Sequence, residues 1–105
     1  MSNIQDTIKA QVTENPIILY MKGTPQFPQC GFSMRASQIL QSYGREFAAV
    51  NVLESDEIRE GIKVFGNWPT IPQLYVKGEL VGGCDIMMEM YQNGELEQLL
   101  ATVEA

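Results

Sequence analysis

The fold is decided by residues 17–43, which read IILYMKGTPQFPQCGFSMRASQILQSY. The stretch opens with a near-continuous apolar run at residues 17–21, as expected for a strand that is buried on both faces. The two prolines within residues 23–29 predict a loop. After Cys30, apolar residues at helical spacing predict an amphipathic helix that Gly44 closes. The stretch therefore predicts a strand, a loop and a helix, with Cys30 where the helix begins.

The flanking residues continue this alternation of helices and strands. Upstream, one helical face carries apolar residues every four positions: Ile4, Ile8 and Val12. Asn15-Pro16 ends that helix, because the residue before a proline is pushed out of the helical region. Downstream, residues 47–53 are predicted to form a second strand. A third helix follows, with Ser55 as its N-cap and Gly66 after its end. Its inward-facing residues are Ile58, Ile62 and Phe65.

The C-terminal part of the chain predicts a hairpin and two helices. Residues 73–76 and 79–81 flank Lys77-Gly78, a turn signal between two short strands. Helical patterns follow at residues 86–91 and 96–103. A βαβ unit followed by a hairpin and closing helices predicts an α/β protein with a mixed four-stranded sheet and helices on both faces. This arrangement is the thioredoxin-like fold.

Composition limits the classes of function that are open to the chain. Its 105 residues are expected to form a single domain, residues 1–105. A net charge of −6 disfavours nucleic acid, because phosphate contacts need a basic face. No apolar run approaches the ~20 residues that span a bilayer, and residues 1–9 lack the pattern of a secretory signal. We therefore expect a cytoplasmic protein that binds neither nucleic acid nor membrane.

The residues available for catalysis are few, since the chain has no histidine and two cysteines. Without histidine, Ser-His-Asp and Cys-His catalysis are both excluded. A closed metal site built from one chain is also excluded, because a structural tetrahedral site needs four nitrogen or sulfur ligands. Cys30 and Cys84 lie far apart in the sequence and form no Cys-x-x-Cys pair.

Cys30 is the candidate reactive residue. At the start of a helix, unpaired backbone N–H groups and the helix dipole stabilise an anion. Lys22, at the end of the first strand, is placed to add positive charge, so we expect the thiol to have a lowered pKa. This position argues against the alternative of a buried structural cysteine. Ser33 stands where a dithiol redox protein has its second cysteine, and serine cannot resolve a mixed disulfide.

Two later segments add candidate binding residues. Residues 70–72, Thr-Ile-Pro, precede the third strand, and two interpretations stay open. The proline is either an ordinary strand-start residue or follows a cis peptide bond, which would let the backbone of Ile71 pair with an extended peptide. Residues 82–85, Gly-Gly-Cys-Asp, are a turn into a helix that presents N–H groups to a carboxylate. Asp85 is also expected to be that helix's N-cap, and Cys84 is either part of the site or an apolar filler.

Three motifs in the sequence resemble those of the monothiol glutaredoxins. The first reads KGTP at residues 22–25 and PQCGFS at residues 28–33. The second is WPTIPQ at residues 68–73, and the third is GGCD at residues 82–85. They occur in the family's order, and the similarity runs from about Ile4 to Leu100. The chain is identified by this resemblance as a single-domain monothiol glutaredoxin.

The resemblance implies a groove that binds glutathione. In this family Lys22 contacts the glycine carboxylate, with help from Arg59, and Ile71 pairs through its backbone with the cysteinyl part. Cys84 and Asp85 take the γ-glutamyl end. The implied set is completed by Cys30, Phe32 and Pro72, with Lys63 as a weaker candidate on a face expected to be solvated.

The resemblance also implies that the chain carries a [2Fe–2S] cluster, with Cys30 as both reactive residue and metal ligand. Such a cluster usually takes four thiolates. Cys30 from each of two chains and the thiols of two glutathione molecules supply four, which implies a cluster-bridged homodimer. Proteins similar to BolA are further partners that replace one subunit, and apo iron–sulfur proteins accept the cluster.

Three functions are compatible with these residues. The first is a cluster carrier, and the second is a glutathione-dependent thiol–disulfide oxidoreductase in which Cys30 takes glutathione from a mixed disulfide. The third is an iron-sensing regulatory adaptor that acts with a BolA-like partner. Ser33 favours the carrier over the oxidoreductase, although monothiol chemistry needs only Cys30 and free glutathione. The sequence does not rank the carrier against the adaptor. It also does not say whether Cys84 forms a disulfide with Cys30.

Overall fold

The computed structural model describes residues 3–103, which alternate helices and strands in the predicted order. No helix within this range is long and apolar enough to cross a membrane. The elements are α1 (Ile4–Glu14), β1 (Ile17–Met21), α2 (Gly31–Ser42), β2 (Ala48–Asn51), a 3₁₀ turn (Val52–Glu54), α3 (Asp56–Gly66), β3 (Gln73–Val76), β4 (Glu79–Gly82), α4 (Cys84–Asn93) and α5 (Glu95–Ala101).

The four strands form one mixed sheet in the order β2-β1-β3-β4. β1 pairs in parallel with β2, as a strand–helix–strand crossover requires, and antiparallel with β3. β3 and β4 form the antiparallel hairpin. Every residue of the central strands β1 and β3 is buried, which is why their sequences lack polar alternation. The predicted thioredoxin-like fold is thereby confirmed.

Helices cover both faces of the sheet, so the molecule has two hydrophobic cores. On one face, Ile18 and Tyr20 of β1 pack among residues of α1 and α3. On the other, Leu19 of β1 and Leu74 of β3 pack among residues of α2, α4 and α5. Successive residues of a strand point to opposite faces, and β1 therefore contributes to both cores.

Local capping and turn chemistry place several boundaries where the sequence predicts them. The Ser55 hydroxyl accepts a hydrogen bond from the Ile58 backbone N–H at 3.2 Å, which makes Ser55 the N-cap of α3. Lys77 and Gly78 both have positive φ angles, +53° and +80°, as a tight hairpin turn requires. The Asn15 backbone ends α1 in an extended conformation before the proline.

The second strand is shorter than the predicted residues 47–53, because β2 ends at Asn51. The Asn51 side-chain oxygen accepts hydrogen bonds from the backbone N–H groups of Leu53 at 3.0 Å and Gly23 at 2.9 Å. These bonds turn the chain into the 3₁₀ segment and tie it to the loop after β1. Gly66 is likewise the last residue of α3 rather than the first beyond it, and Asn67 adopts the left-handed cap conformation.

The C-terminal helices also differ from their predicted bounds. α4 begins at Cys84 and reaches Asn93, so it is longer than the predicted residues 86–91, and α5 ends at Ala101. Gly83 is the N-cap of α4. The prediction that Asp85 is the N-cap is therefore wrong. Asp85 lies in the first turn, where its negative charge interacts favourably with the positive end of the helix dipole.

Candidate functional site

A groove of about 380 Å³ lies where the end of β1 meets the N-terminal ends of α2 and α4. The structure brings together there every residue of the implied glutathione site except Cys30. The lining residues are Lys22, Phe32, Arg59, Lys63, Trp68, Pro69, Thr70, Ile71, Pro72, Gly83, Cys84, Asp85 and Ile86. Cys30 lies two residues before Phe32, as the N-cap of α2.

The half-buried thiol of Cys30 is held at the start of α2. Hydrogen bonding from the Ser33 backbone N–H lowers its pKa from the ordinary value, and this exceeds the opposing effect of burial. The Phe32 N–H, the Ser33 hydroxyl and the charge of Lys22 lower the pKa further. The predicted direction of the shift is confirmed, and the backbone at the helix start contributes more than the lysine does.

Ser33 has a second role, which the sequence analysis missed. Its side chain is fully buried, and its hydroxyl oxygen accepts a hydrogen bond from the Lys22 backbone N–H at 3.0 Å. This bond joins the end of β1 to the first turn of α2 across the loop. The serine therefore holds Lys22 and Cys30 in a defined relation, besides lacking a thiol.

Two cations in the groove have no carboxylate within ion-pair distance among residues 3–103: Lys22 and Arg59. Both side chains are half-buried. Lys63 also lines the groove, although we expected a solvated helix face, but its ammonium lies 3.4 Å from the Glu60 carboxylate. Lys22 and Arg59 are consequently the groove cations that are free to bind an anionic ligand.

The segment before β3 forms one wall of the groove. Of the two alternatives for Pro72, the structure has the cis peptide bond between Ile71 and Pro72. Trp68 and Thr70 line the same wall. The sequence contained them within the WPTIPQ motif, but residue type alone did not show that they face the groove.

The N-terminal end of α4 closes the groove. Gly83 lies close to the wall before β3, since a Cβ atom there would be 3.2 Å from the Pro72 carbonyl oxygen, a tight contact, and 3.4 Å from Trp68 Nε1, an ordinary one. Cys84 is buried, and burial raises the pKa of its thiol. Asp85 is exposed. The two cysteines of the chain therefore differ: Cys30 favours the thiolate and Cys84 the neutral thiol.

Apolar side chains project into solvent close to Cys30 in the chain. Phe27 is 75% exposed, Phe32 60% and Met34 43%, and we call these three the apolar rim. Phe27 lies in the loop after β1, where Thr24 and Phe27 exchange backbone hydrogen bonds at 3.1 and 3.2 Å. Large exposed apolar groups around a reactive residue are typical of a surface that contacts another molecule.

Residues 3–103 contain no group of three or more acidic or cysteine side chains placed to hold a metal ion. One chain offers a single thiol with lowered pKa, that of Cys30. A thiolate-bound cluster at this site would accordingly need ligands from outside the chain.

Comparisons with known proteins show what this chain is similar to. The glutaredoxin family model matches residues 17–81. Glutaredoxin 4 of Escherichia coli strain K12 is 53% identical over 105 residues, which cover all of this chain and 91% of that protein. Glutaredoxin 4 of Haemophilus influenzae strain 86-028NP is 55% identical over 100 residues, covering 95% and 94%. The solution structure of reduced poplar apo GrxS14 is 46% identical with a TM-score of 0.82, covering 94% and 91%.

Proposed function

This chain belongs to the glutaredoxin family as a monothiol member, and from that premise we propose that it binds glutathione and carries a [2Fe–2S] cluster to acceptor proteins. One observation carries the proposal. A thiol with a lowered pKa, Cys30, stands beside a groove in which Lys22 and Arg59 lack a carboxylate partner among the described residues. Glutathione, with two carboxylates and one thiol, matches such a site.

The charges of the groove suggest how glutathione lies in it. Lys22 and Arg59 would bind the glycine carboxylate through charge-assisted hydrogen bonds. The first N–H groups of α4, at Cys84 and Asp85, have no partners within the helix and would receive the γ-glutamyl carboxylate. Ile71, Pro72 and Phe32 would contact the middle of the tripeptide and leave its thiol near Cys30.

The ligand count supports the cluster as cargo shared between two chains. Each chain would supply the Cys30 thiolate and one bound glutathione thiol, so two chains complete a set of four. The apolar rim supports this assembly, since two chains that meet over Cys30 would cover it. We propose the same surface for a BolA-like partner that replaces one chain, and for apo iron–sulfur acceptors. We propose that the chain carries and transfers the cluster in the cytoplasm.

A thiol–disulfide oxidoreductase is the second candidate, and the lowered pKa of Cys30 favours it. A thiolate attacks the mixed disulfide of a substrate with glutathione: the new bond joins Cys30 sulfur to glutathione sulfur, and the substrate leaves as its thiolate. A second glutathione then releases oxidised glutathione and restores Cys30. Ser33 leaves this reaction without a resolving thiol inside the chain.

Anaerobic isolation of the full chain tests the proposal. Wild-type protein supplied with iron, sulfide and glutathione is expected to be brown, dimeric and to contain one iron and one glutathione per chain. Cys30→Ser is expected to be colourless and monomeric, while the matched control Cys84→Ser retains the cluster. A coloured, dimeric Cys30→Ser protein would contradict the ligand assignment.

A transfer assay separates the carrier from the oxidoreductase. The carrier is expected to pass its cluster to an apo-ferredoxin and to turn over a glutathione mixed disulfide slowly. Fast turnover together with no cluster transfer would make the chain an oxidoreductase first.

A further inference from the structure

A buried chain of hydrogen bonds lies behind the groove wall formed by Trp68 and Thr70. The Tyr75 hydroxyl donates to the Gln73 side-chain oxygen at 2.9 Å. The Gln73 side-chain nitrogen donates in turn to the backbone carbonyl oxygens of Trp68 at 3.0 Å and Thr70 at 3.1 Å. Gln73 is 0% exposed and Tyr75 1% exposed, so the bond between them is buried, while the two carbonyls that accept from Gln73 are partly accessible.

The two backbone carbonyls determine which way the glutamine amide points, and the tyrosine pairs the amide oxygen. Gln73 and Tyr75 lie two positions apart on β3, so both side chains leave the same face of the sheet. Because carbonyl oxygens only accept, the amide nitrogen faces them, and the amide oxygen is left to accept from the Tyr75 hydroxyl. The reversed amide would set an oxygen against two carbonyl oxygens. Burial raises the pKa of Tyr75 to about 12, which keeps the hydroxyl a donor at physiological pH.

The surroundings of this chain of bonds leave it little freedom. Gly66 has no side chain at the point where a Cβ atom would collide with the Tyr75 hydroxyl oxygen. The Tyr75 ring packs edge-on against Tyr20, with centroids 5.8 Å apart, and also contacts Phe65. Removing a partner from so tightly packed a site leaves a buried polar atom unsatisfied rather than solvated.

The wall itself has few other attachments. Trp68 Nε1 is buried without a hydrogen-bond partner among residues 3–103, so the indole does not anchor the segment through its polar atom. Pro69 has no backbone N–H to donate. The Trp68 backbone N–H donates to the Lys63 carbonyl oxygen at 3.0 Å, which ties that end of the wall to α3. The bonds from Gln73 are the side-chain hydrogen bonds that hold the Trp68 and Thr70 carbonyls.

We infer that Gln73 and Tyr75 are positioning residues, which touch no ligand themselves and set the shape of the glutathione groove by holding the Trp68–Thr70 wall. This inference rests on the proposed function, since it assigns glutathione to the groove. The site would then depend on two buried residues behind the wall as well as on the side chains that line the groove.

Tyr75→Phe tests the inference, with Tyr20→Phe as a matched control. Tyr20 is also fully buried, and its hydroxyl donates one bond, to the Gln11 side-chain oxygen at 2.7 Å, but this bond leads to α1 and not to the Trp68–Thr70 wall. Each variant loses a single hydroxyl from the same core. Calorimetry of full-length, cluster-free protein titrated with reduced glutathione is expected to show binding weakened by roughly five- to tenfold in Tyr75→Phe, because the loss of a buried hydrogen bond is in that range. Tyr20→Phe is expected to bind as wild type does.

A second readout follows the wall without glutathione. Trp68 is the single tryptophan of the chain, so its fluorescence reports this segment alone. Acrylamide is expected to quench it more strongly in Tyr75→Phe, and more strongly still in Gln73→Met, than in wild type or Tyr20→Phe. Equal quenching in all four proteins would overturn the inference, as would equal glutathione affinity in the two tyrosine variants. Wild-type protein that bound no glutathione would instead overturn the proposed function, and the quenching series would still decide this inference.

Discussion

The pKa of the Cys30 thiol is lowered mainly by atoms within the first turn of α2. The largest contribution to its lowered pKa is the Ser33 backbone N–H, while the Ser33 hydroxyl and Lys22 add smaller ones. Backbone groups survive any side-chain substitution. The thiolate is therefore a property of the helix start, and side chains adjust it.

Replacing Ser33 with alanine separates these contributions. Ser33→Ala removes the hydroxyl but keeps the backbone N–H, so the pKa of Cys30 is expected to rise part of the way and stay below that of free cysteine, ~8.5. Lys22→Ala is expected to raise it less. Ultraviolet absorbance of the thiolate, titrated in a Cys84→Ser background, measures both. A Ser33→Ala value at or above free cysteine would show that the backbone does not dominate.

The groove cations differ in whether a carboxylate already neutralises them. Lys22→Ala and Arg59→Ala are expected to weaken glutathione binding about tenfold each, the lower end for a bond of roughly 1.5–3 kcal/mol to a charged group, because both side chains are half exposed to water. Lys63→Ala is the control, since Glu60 pairs with it. Calorimetry at low and high salt measures the three, and a Lys63→Ala loss equal to the others would contradict the ranking.

Among the elements, α3 contributes both to stability and to the site. Its N-cap is Ser55, and its residue Arg59 lines the groove. Ser55→Ala is expected to lower the free energy of unfolding by about 1 kcal/mol, the usual cost of losing an N-cap side chain. Ser42→Ala, whose hydroxyl donates to the Ile39 carbonyl near the exposed end of α2, is expected to cost less than about 0.5 kcal/mol. Urea unfolding measures both, and equal losses would show that the cap does not stabilise α3.

For the whole molecule, the buried tyrosines set the response to alkaline pH. Burial raises the pKa of Tyr75 from 10.0 to about 12 and also raises that of Tyr20. A group whose pKa is higher in the folded state stabilises the fold below its unfolded pKa, and that contribution is lost as pH rises through the folded pKa. We therefore expect the free energy of unfolding to fall between about pH 10 and 12.

Denaturant unfolding at a series of alkaline pH values checks this expectation. Tyr75→Phe is expected to lose less stability over the same interval, because it has one fewer buried hydroxyl to ionise. Tyr91→Phe serves as the control, since that ring is 46% exposed. A Tyr91→Phe curve as flat as that of Tyr75→Phe would contradict the assignment to burial.

Much of this architecture depends on contacts between residues close in the chain, and that part can be predicted from the order of amino acids alone. The apolar run of β1, the Ser55 cap and the Lys77-Gly78 turn each act within a few residues. The reactive character of Cys30 belongs here too, since the Ser33 N–H that lowers its pKa lies three residues away. Element order followed from these local patterns, and the mixed sheet followed from the order.

Other features join residues that are distant in the chain, and these are visible in the folded molecule alone. At the end of β2 the Asn51 side chain accepts a local bond from Leu53 and a second bond from Gly23, and no local pattern indicates the second. α4 begins at Cys84, so its N-cap is Gly83 and not Asp85, and Gly83 lies against Pro72 and Trp68 of an earlier segment. Side-chain type does not show which residues face a common groove or meet in a core. A shared groove and a shared core arise when the four strands pair and distant segments pack together.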